Sequence, residues 1–458
     1  MTYKNVTYDC ASVEDFRTHP GVQARNGQPI TILTKFAVAA AITTFSIYIC
    51  WKHTQDSPSL LGWNSWAMSE WLINYEGGFV RRGLAGHVIL FFSNGEPAIT
   101  VINNIVFTCF ASLCILMLGL VLLSSAVTPM MAALMLLVPG GVYGMVMGNE
   151  FYYRKEISFH IYLATAAILF ILSRRIENIY ISRAFQLLTV VVILVGSAVL
   201  PFVHEGFIFI SAVPTTVLIY FIAASWSARK KRNVAFAYLA LAAMEFLVLA
   251  YFKGDASTAR AIWASIHPVD QKLISQTGAI AGGIEAIGST LSQQLSTSRS
   301  VLTSGYGWYW GFALAASGLY LVTTVLVYWR DGREVHRGAA WVFTLYGVCL
   351  IDALPLFIVG WDWGRWIAGV NLSVVILMCA GELHCKLPIP TVEVLKGKGS
   401  YTRAWSSAIL AAALLFGLTF KLPEACLVGT GEPFSHVWRL LIGVRATDAA
   451  PSTSSHPV

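Results

Sequence analysis

The chain has 458 residues, of which 56% are apolar and only 12% charged, with a formal net charge of +7 and a mean hydropathy of +0.64. Soluble globular chains carry about 25% charged residues, so this composition excludes a water-soluble globular protein, a disordered chain, a collagen-like fibre and a nucleic-acid-binding domain. It fits an all-α, polytopic integral membrane protein in which about eleven helices of about 20 residues occupy about half the chain.

Residues 1–29 are polar and charge-balanced, with Asp9, Glu14, Asp15, Arg17 and Arg25. No short apolar core with a small-residue cleavage site precedes the first span, so a cytoplasmic segment is expected there rather than a cleaved signal. Spans are then predicted at 30–51, 98–124, 129–148, 157–173, 185–200, 206–225, 234–252, 306–328, 338–357, 366–383 and 404–421, making 30–421 the transmembrane domain. With the N-terminus inside, the inner connections hold Arg174, Arg175 and Arg183, then the basic run 229–232, then Arg330, Arg333 and Arg337, then Lys386, Lys396, Lys398 and Arg403. That is the pattern the positive-inside rule predicts, with basic residues kept in the cytoplasm and the C-terminus outside. The eight cysteines show no CxxC or Cys/His metal spacing and read as small buried apolar residues.

Two outer loops stand out. Loop 52–97 carries Trp63, Trp66 and Trp71, a helix expected over 64–74, the break at Glu76, Gly77 and Gly78, and a short apolar run at 88–92. That run is too short to span and reads as re-entrant or interfacial. Loop 253–305 reads as a helix over 257–267 stopped by Pro268, then one amphipathic helix with Leu273, Ile280, Ile284, Ile287, Leu291 and Leu295 on one face. The pair is expected to lie over the outer surface like a lid. Residues 422–458 are read as an outer amphipathic stretch at 437–444 followed by a disordered Pro/Ser/Thr tail.

Outside the inner loops, the polar motifs fall at the outer ends of spans: Glu76 with Arg81 and Arg82; Arg154, Lys155 and Glu156; His204 and Glu205; Asp362 and Arg365. Arginine in short outer loops runs against the topogenic bias, and four such motifs point to one shared site. Paired glycines permit a sharp turn and a close approach to ligand, and guanidinium forks match phosphate oxygens. Arg81, Arg82 and Arg365 are therefore the candidate diphosphate ligands, with Glu76, Arg154 and Lys155 as secondary candidates. Glu205, His204 and Asp362 are the candidate acid–base groups, since burial tunes such groups toward proton transfer. Pairing of the arginines with Glu76 or Glu70, and an aromatic belt around Asp362, are the structural alternatives. Within the spans, Glu245 and Asp352 are costly enough to need a partner or a role, and they alone favour ion-coupled transport. No metal motif and no nucleotide loop is present, so neither a metal nor a cofactor is expected.

Taken together, these features resemble bacterial inner-membrane proteins of surface-polysaccharide loci, namely exopolysaccharide or O-antigen polymerases, ligases and export components. The likeness lies in about eleven spans, a long amphipathic outer loop, and outer-face Arg, His and acidic residues including Arg81, Arg82 and Gly83. A second membrane glycosyltransferase group keeps acidic residues in its first outer loop, where Glu70 and Glu76 lie. The resemblance implies metal-independent polymerisation or transfer of sugars carried on polyprenyl diphosphate. It also implies a lipid-linked glycan, the bilayer and other polysaccharide assembly or export proteins as partners, and no nucleic acid. The reading from a different class is a non-enzymatic flippase, transporter or export-complex subunit.

Overall fold

The computed structural model of the protein describes residues 28–55, 65–125, 127–149, 151–275, 277–303, 307–326, 332–360, 362–381 and 400–423. Helix α1 (Gln28–Gln55) is followed by two short helices, α2 (Ser65–Trp71) and α3 (Gly83–Ser93), and by the long α4 (Ile99–Leu123). Then come α5 (Pro129–Leu136), α6 (Val142–Gly144), α7 (Ile157–Arg175), α8 (Ile179–Val203), α9 (Phe207–Ile222) and α10 (Ala228–Tyr251). Four short helices follow, α11 (Ala256–Ser265), α12 (Pro268–Ile274), α13 (Gly282–Ile287) and α14 (Leu291–Val301). The chain closes with α15 (Gly307–Leu326), α16 (Gly332–Val359), α17 (Trp363–Gly381) and α18 (Ser400–Thr419). Among the described residues there is no strand, and eight helices (α1, α4, α7, α8, α10, α15, α16 and α17) are long and apolar enough to cross a membrane. The protein is an all-α polytopic membrane protein.

Two of the eleven expected spans differ, and the one at 404–421 falls on α18, a helix of 20 residues. The run at 206–225 is a shorter apolar helix, Phe207–Ile222. The run at 129–148 is not one helix at all: α5 stops at Leu136, the chain turns through Pro139, Gly140 and Gly141, and α6 passes into a π turn (Met145–Asn149) and a 3-10 turn (Phe151–Tyr153). Proline cannot donate the next helical hydrogen bond, and Gly140 takes φ +69°. Irregular backbone at membrane depth survives only where protein surrounds it. Here Val138 and Val142 are wholly buried, and Asn371 Nδ2 donates to the Pro139 carbonyl at 2.9 Å.

The helices share one polarity of ends. Lys35 Nζ donates to the Ser124 carbonyl, tying the start of α1 to the end of α4. The basic residues Arg174 and Arg175 end α7, and the run 229–232 opens α10. The opposite ends of α7, α8, α10, α16 and α17 meet α2, α3 and the α11–α14 segment. Arg330, Lys386, Lys396, Lys398 and the stretch 437–444 lie outside the described residues.

The α11–α14 segment forms a lid, though not from the two helices expected. Pro268 opens α12 at its first turn instead of only closing α11. The amphipathic run over 273–295 is broken by positive φ at Gly278 and Gly282 and by a new capping box at Thr290 and Gln293. Its apolar side still points inward at Ile284 and Ile287, which are buried. The lid is tied down polar group by polar group. Asp270 accepts the Ala98 and Ile99 N–H groups at the start of α4, Ser69 Oγ accepts the Gly283 N–H at 2.8 Å, and Ser298 Oγ donates to the Val359 carbonyl. Gly283 lies so close to α2 that a Cβ there would meet Glu70 Cγ at 2.5 Å and Glu70 Cα at 3.2 Å. Gly283→Val should therefore lift the lid off α2, at about 1–3 kcal/mol for overpacking. Hydrogen exchange over 256–301 should rise while exchange in α4, α7 and α17 stays at its wild-type level.

Candidate functional site

Residues of all four polar motifs and one further acid, Glu70, come together under the lid. α2 presents Glu70 inward at 1% exposure, and the turn from α2 to α3 brings in Arg81 and Arg82. The 3-10 turn before α7 delivers Arg154, Lys155 and Glu156. The α8–α9 junction delivers His204 and Glu205, and the α16–α17 junction delivers Asp362 and Arg365. Each lies where a helix ends, because a chain that reverses at the membrane edge leaves backbone and side chains unpaired there.

Four guanidiniums interlock with four carboxylates. Glu205 accepts from Arg82 Nε at 2.6 Å and from Arg82 NH2, with Arg81 NH1 at 3.4 Å. Glu70 is the hub: it meets Arg154 NH1 at 3.3 Å, Arg82 NH1 at 3.5 Å and Arg365 NH1 at 3.7 Å, and it accepts from Trp66 Nε1 four residues earlier in α2. Glu156 lies 3.2 Å from Arg365 NH1 and 3.5 Å from His204 Nε2. Asp362 lies 3.3 Å from Arg365 Nε and 3.6 Å from Arg154 NH2. Burial alone would raise these glutamates, but the arginines prevail and hold Glu70, Glu156 and Glu205 below the usual carboxylate range.

Arg82 has φ +66° and ψ 2° as the N-cap of α3. A left-handed conformation costs an L-residue about 1–2 kcal/mol, and it persists only where the surroundings over-determine it. Here the side chain is gripped by Glu205, while the Arg82 carbonyl accepts from Lys155 Nζ at 3.0 Å. His204 Nδ1 accepts the Gly206 N–H at 2.9 Å, which leaves the ring proton on Nε2, toward Glu156. Burial, then Arg82, pushes the imidazole down to about 4, so it is neutral at physiological pH.

Arg81, Arg82, Arg154, His204, Glu205, Asp362 and Arg365, with Glu70, line one cavity of about 590 Å³. Two secondary candidates land elsewhere. Glu76 is exposed and forms no ion pair among the described residues, because Gly77 and Gly78 turn the chain away. Gly77 approaches protein, since a Cβ there would meet the Thr258 carbonyl of α11, while Gly78 has open space around it and takes φ +95°. Lys155 is fully buried behind Arg82 and does not line the cavity. Asp352, in its span, accepts the Val213 N–H at 3.1 Å, so it has a structural partner, and neither it nor Glu245 lines the cavity. Glu70, named in sequence as an alternative partner of the arginines, is the acid they share: Arg82, Arg154 and Arg365 all meet it. Among the described residues, no group of three His, Cys, Asp or Glu side chains is placed to hold a metal ion.

Burial pushes the Lys155 ammonium down to about 7 from its ordinary 10.5. Between those values the unfolded chain binds the extra proton, so stability rises with pH from about 7 to about 10, and this contribution is gone once pH has fallen to about 7. Thermal unfolding in detergent should show a midpoint that climbs from pH 7 to 9.5. Lys155→Met should flatten that climb; an unchanged slope would place the proton elsewhere.

The family model described as uncharacterised membrane protein Rv1490 matches residues 36–288, more than half of the chain, and the chain belongs to that family. The match takes in Glu70, both arginines of the α2–α3 turn, and His204 and Glu205, and it ends before Asp362 and Arg365. No curated protein and no solved structure matches the chain.

Proposed function

We propose that this Rv1490-family membrane protein polymerises or transfers sugars carried on a polyprenyl diphosphate, at the outer leaflet of a bacterial inner membrane, in the assembly of exopolysaccharide or another surface glycan. The observation that carries this reading is the cavity itself. Its head is a buried set of arginines, and its walls are apolar residues of α9, α10 and α16. A diphosphate ester on a hydrocarbon chain has that same division of character. Arg81 Nε is buried with no hydrogen-bond acceptor among the described residues, a donor able to take an oxyanion, whereas Arg365 Nε and NH1 face Asp362 and Glu156.

In this reading the arginines neutralise the diphosphate leaving group and a carboxylate takes the proton of the acceptor hydroxyl. Glu205 is poorly suited to that second role, because Arg82 occupies both of its oxygens and lowers its affinity for a proton. His204 is committed through Nδ1 to Gly206. Asp362 is the stronger choice, since Arg365 and Arg154 meet only its Oδ2, as ion pairs at 3.3 and 3.6 Å, its Oδ1 has no partner among the described residues, and the residue lines the cavity. Glu205 then acts through the arginines it orients.

Deletion of the protein should leave single lipid-linked repeat units on the outer leaflet. Accumulation on the inner leaflet would make the protein a flippase, and no accumulation would remove it from glycan assembly. The orientation has its own test, cysteine labelling on a cysteine-free background. Glu285→Cys on the lid should label from outside and Lys231→Cys at the start of α10 should not; the reverse pattern would put the site on the cytoplasmic face.

A further inference from the structure

We infer that the cleft between α10 and α16 seats the hydrocarbon chain of the lipid substrate and admits it sideways from the bilayer, an inference that rests on the lipid-linked reading above. α10 and α16 each pack on α9 and leave the cavity between them. Phe246 and Ala250 form one wall, Pro355 and Leu356 the other, and Phe209 the floor, with Phe209 and Phe246 edge to face at 5.1 Å. Phe246, Ala250 and Pro355 are exposed, so the cleft opens at its side.

The depth of that opening follows from helix rise. Phe246 lies five residues before the end of α10 and Pro355 four before the end of α16, which is about 6–8 Å inside the helix ends at 1.5 Å per residue. The flanking residues turned outward are bulky and apolar: Leu247 is 67% exposed and Ile351 is 71% exposed. The mouth is therefore at the level where head groups meet chains, beside a lipid-facing surface, and its inner end is the arginine cluster. A wholly polar ligand would leave these walls wet, and a plain hydrocarbon would leave the arginines without an anion. An amphiphile with an anionic head satisfies both. α14 covers the cleft from above through Leu291, Gln293 and Gln294, anchored by the Ser298 bond to Val359.

The test compares geranylgeranyl diphosphate with inorganic diphosphate as ligands of the full-length protein in nanodiscs. Each buried methylene contributes about fourfold in affinity, so filling the cleft with Ala250→Trp should weaken geranylgeranyl diphosphate about 10-fold or more. Inorganic diphosphate should bind as before, and Leu247→Trp on the lipid-facing side of α10 should alter neither. An Ala250→Trp variant that binds the prenyl ligand like wild type, or weakens both ligands equally, overturns the cleft. If wild type binds neither ligand, the diphosphate reading fails and the cleft is tested alone. A benzoylphenylalanine photocrosslinker at Leu356 should then capture a bilayer phospholipid, and no capture overturns the cleft as well.

Discussion

Arg82→Lys and Arg81→Lys, compared at matched membrane levels, should each bind a lipid-linked diphosphate about 10–150-fold more weakly than wild type, the loss of one charge-assisted hydrogen bond of about 1.5–3 kcal/mol. The geometry explains why charge alone is insufficient. Arg82 presents Nε and NH2 to Glu205 and NH1 toward Glu70, so one planar group bridges two elements of the fold in the cavity wall. An ammonium is a point charge on a flexible stem and cannot hold both acids in register while meeting a phosphate. Lysine is the right probe because Arg82→Ala would leave Glu205 buried beside a vacated position, which costs about 3–5 kcal/mol when one member of a buried pair is removed. If both lysine variants bind and polymerise like wild type, these arginines are structural and the diphosphate clamp is wrong.

Asp362→Asn should lower the rate of glycosyl transfer about 10²–10⁴-fold, the usual worth of general-base help, with little effect on substrate affinity. The change keeps the side chain's size, and Arg154 and Arg365 retain Glu70 and Glu156 as partners. Glu205→Gln should behave differently despite being isosteric. Its amide would turn an NH2 group toward the Arg82 guanidinium, in place of an oxygen that accepts from it, and the folded yield should fall along with activity. Unaltered turnover in Asp362→Asn, combined with a well-folded but inactive Glu205→Gln, would return the base to Glu205.

Much of the site could be read from the chain because span parity alone assigns loops to ends. Arg81, Arg154, His204 and Asp362 all follow an odd number of crossings in the sequence reading, and they meet in the structure. Parity says nothing about which groups touch. Glu76 shares a loop with Arg82 yet lies on the far side of a glycine turn, and Lys155 adjoins Arg154 yet points behind the cluster. Hydropathy averaging hid two other features. It joined α5 and α6 into one span across Pro139, Gly140 and Gly141, and it joined α12, α13 and α14 into one amphipathic helix across Gly278, Gly282 and Thr290. In both places single residues with special backbone demands decide the outcome, while a window counts them as one polar position among many. The apolar walls of the cleft were invisible for the opposite reason, since Phe246 and Leu356 resemble any other span residues until a second helix is found beside them.

The burial of α17 has a consequence for how the chain tolerates change. Every residue of this helix except Trp363 and Arg365 is buried, whereas α8 and α10 turn most of their side chains outward. Both kinds of helix are apolar, so hydropathy cannot tell them apart, but saturation mutagenesis would. On α8 and α10 a swap of leucine for isoleucine, valine or phenylalanine at an outward position meets only fluid acyl chains and should be silent. On α17 the same swap meets fixed neighbours on every side, and a Cβ at Gly364 or Gly381 would run into the Pro423 carbonyl or the Trp341 ring. Random drift should therefore accumulate on the outer helices and leave α17 nearly invariant, which would keep Asp362 and Arg365 in place as the rim of the bundle diversifies.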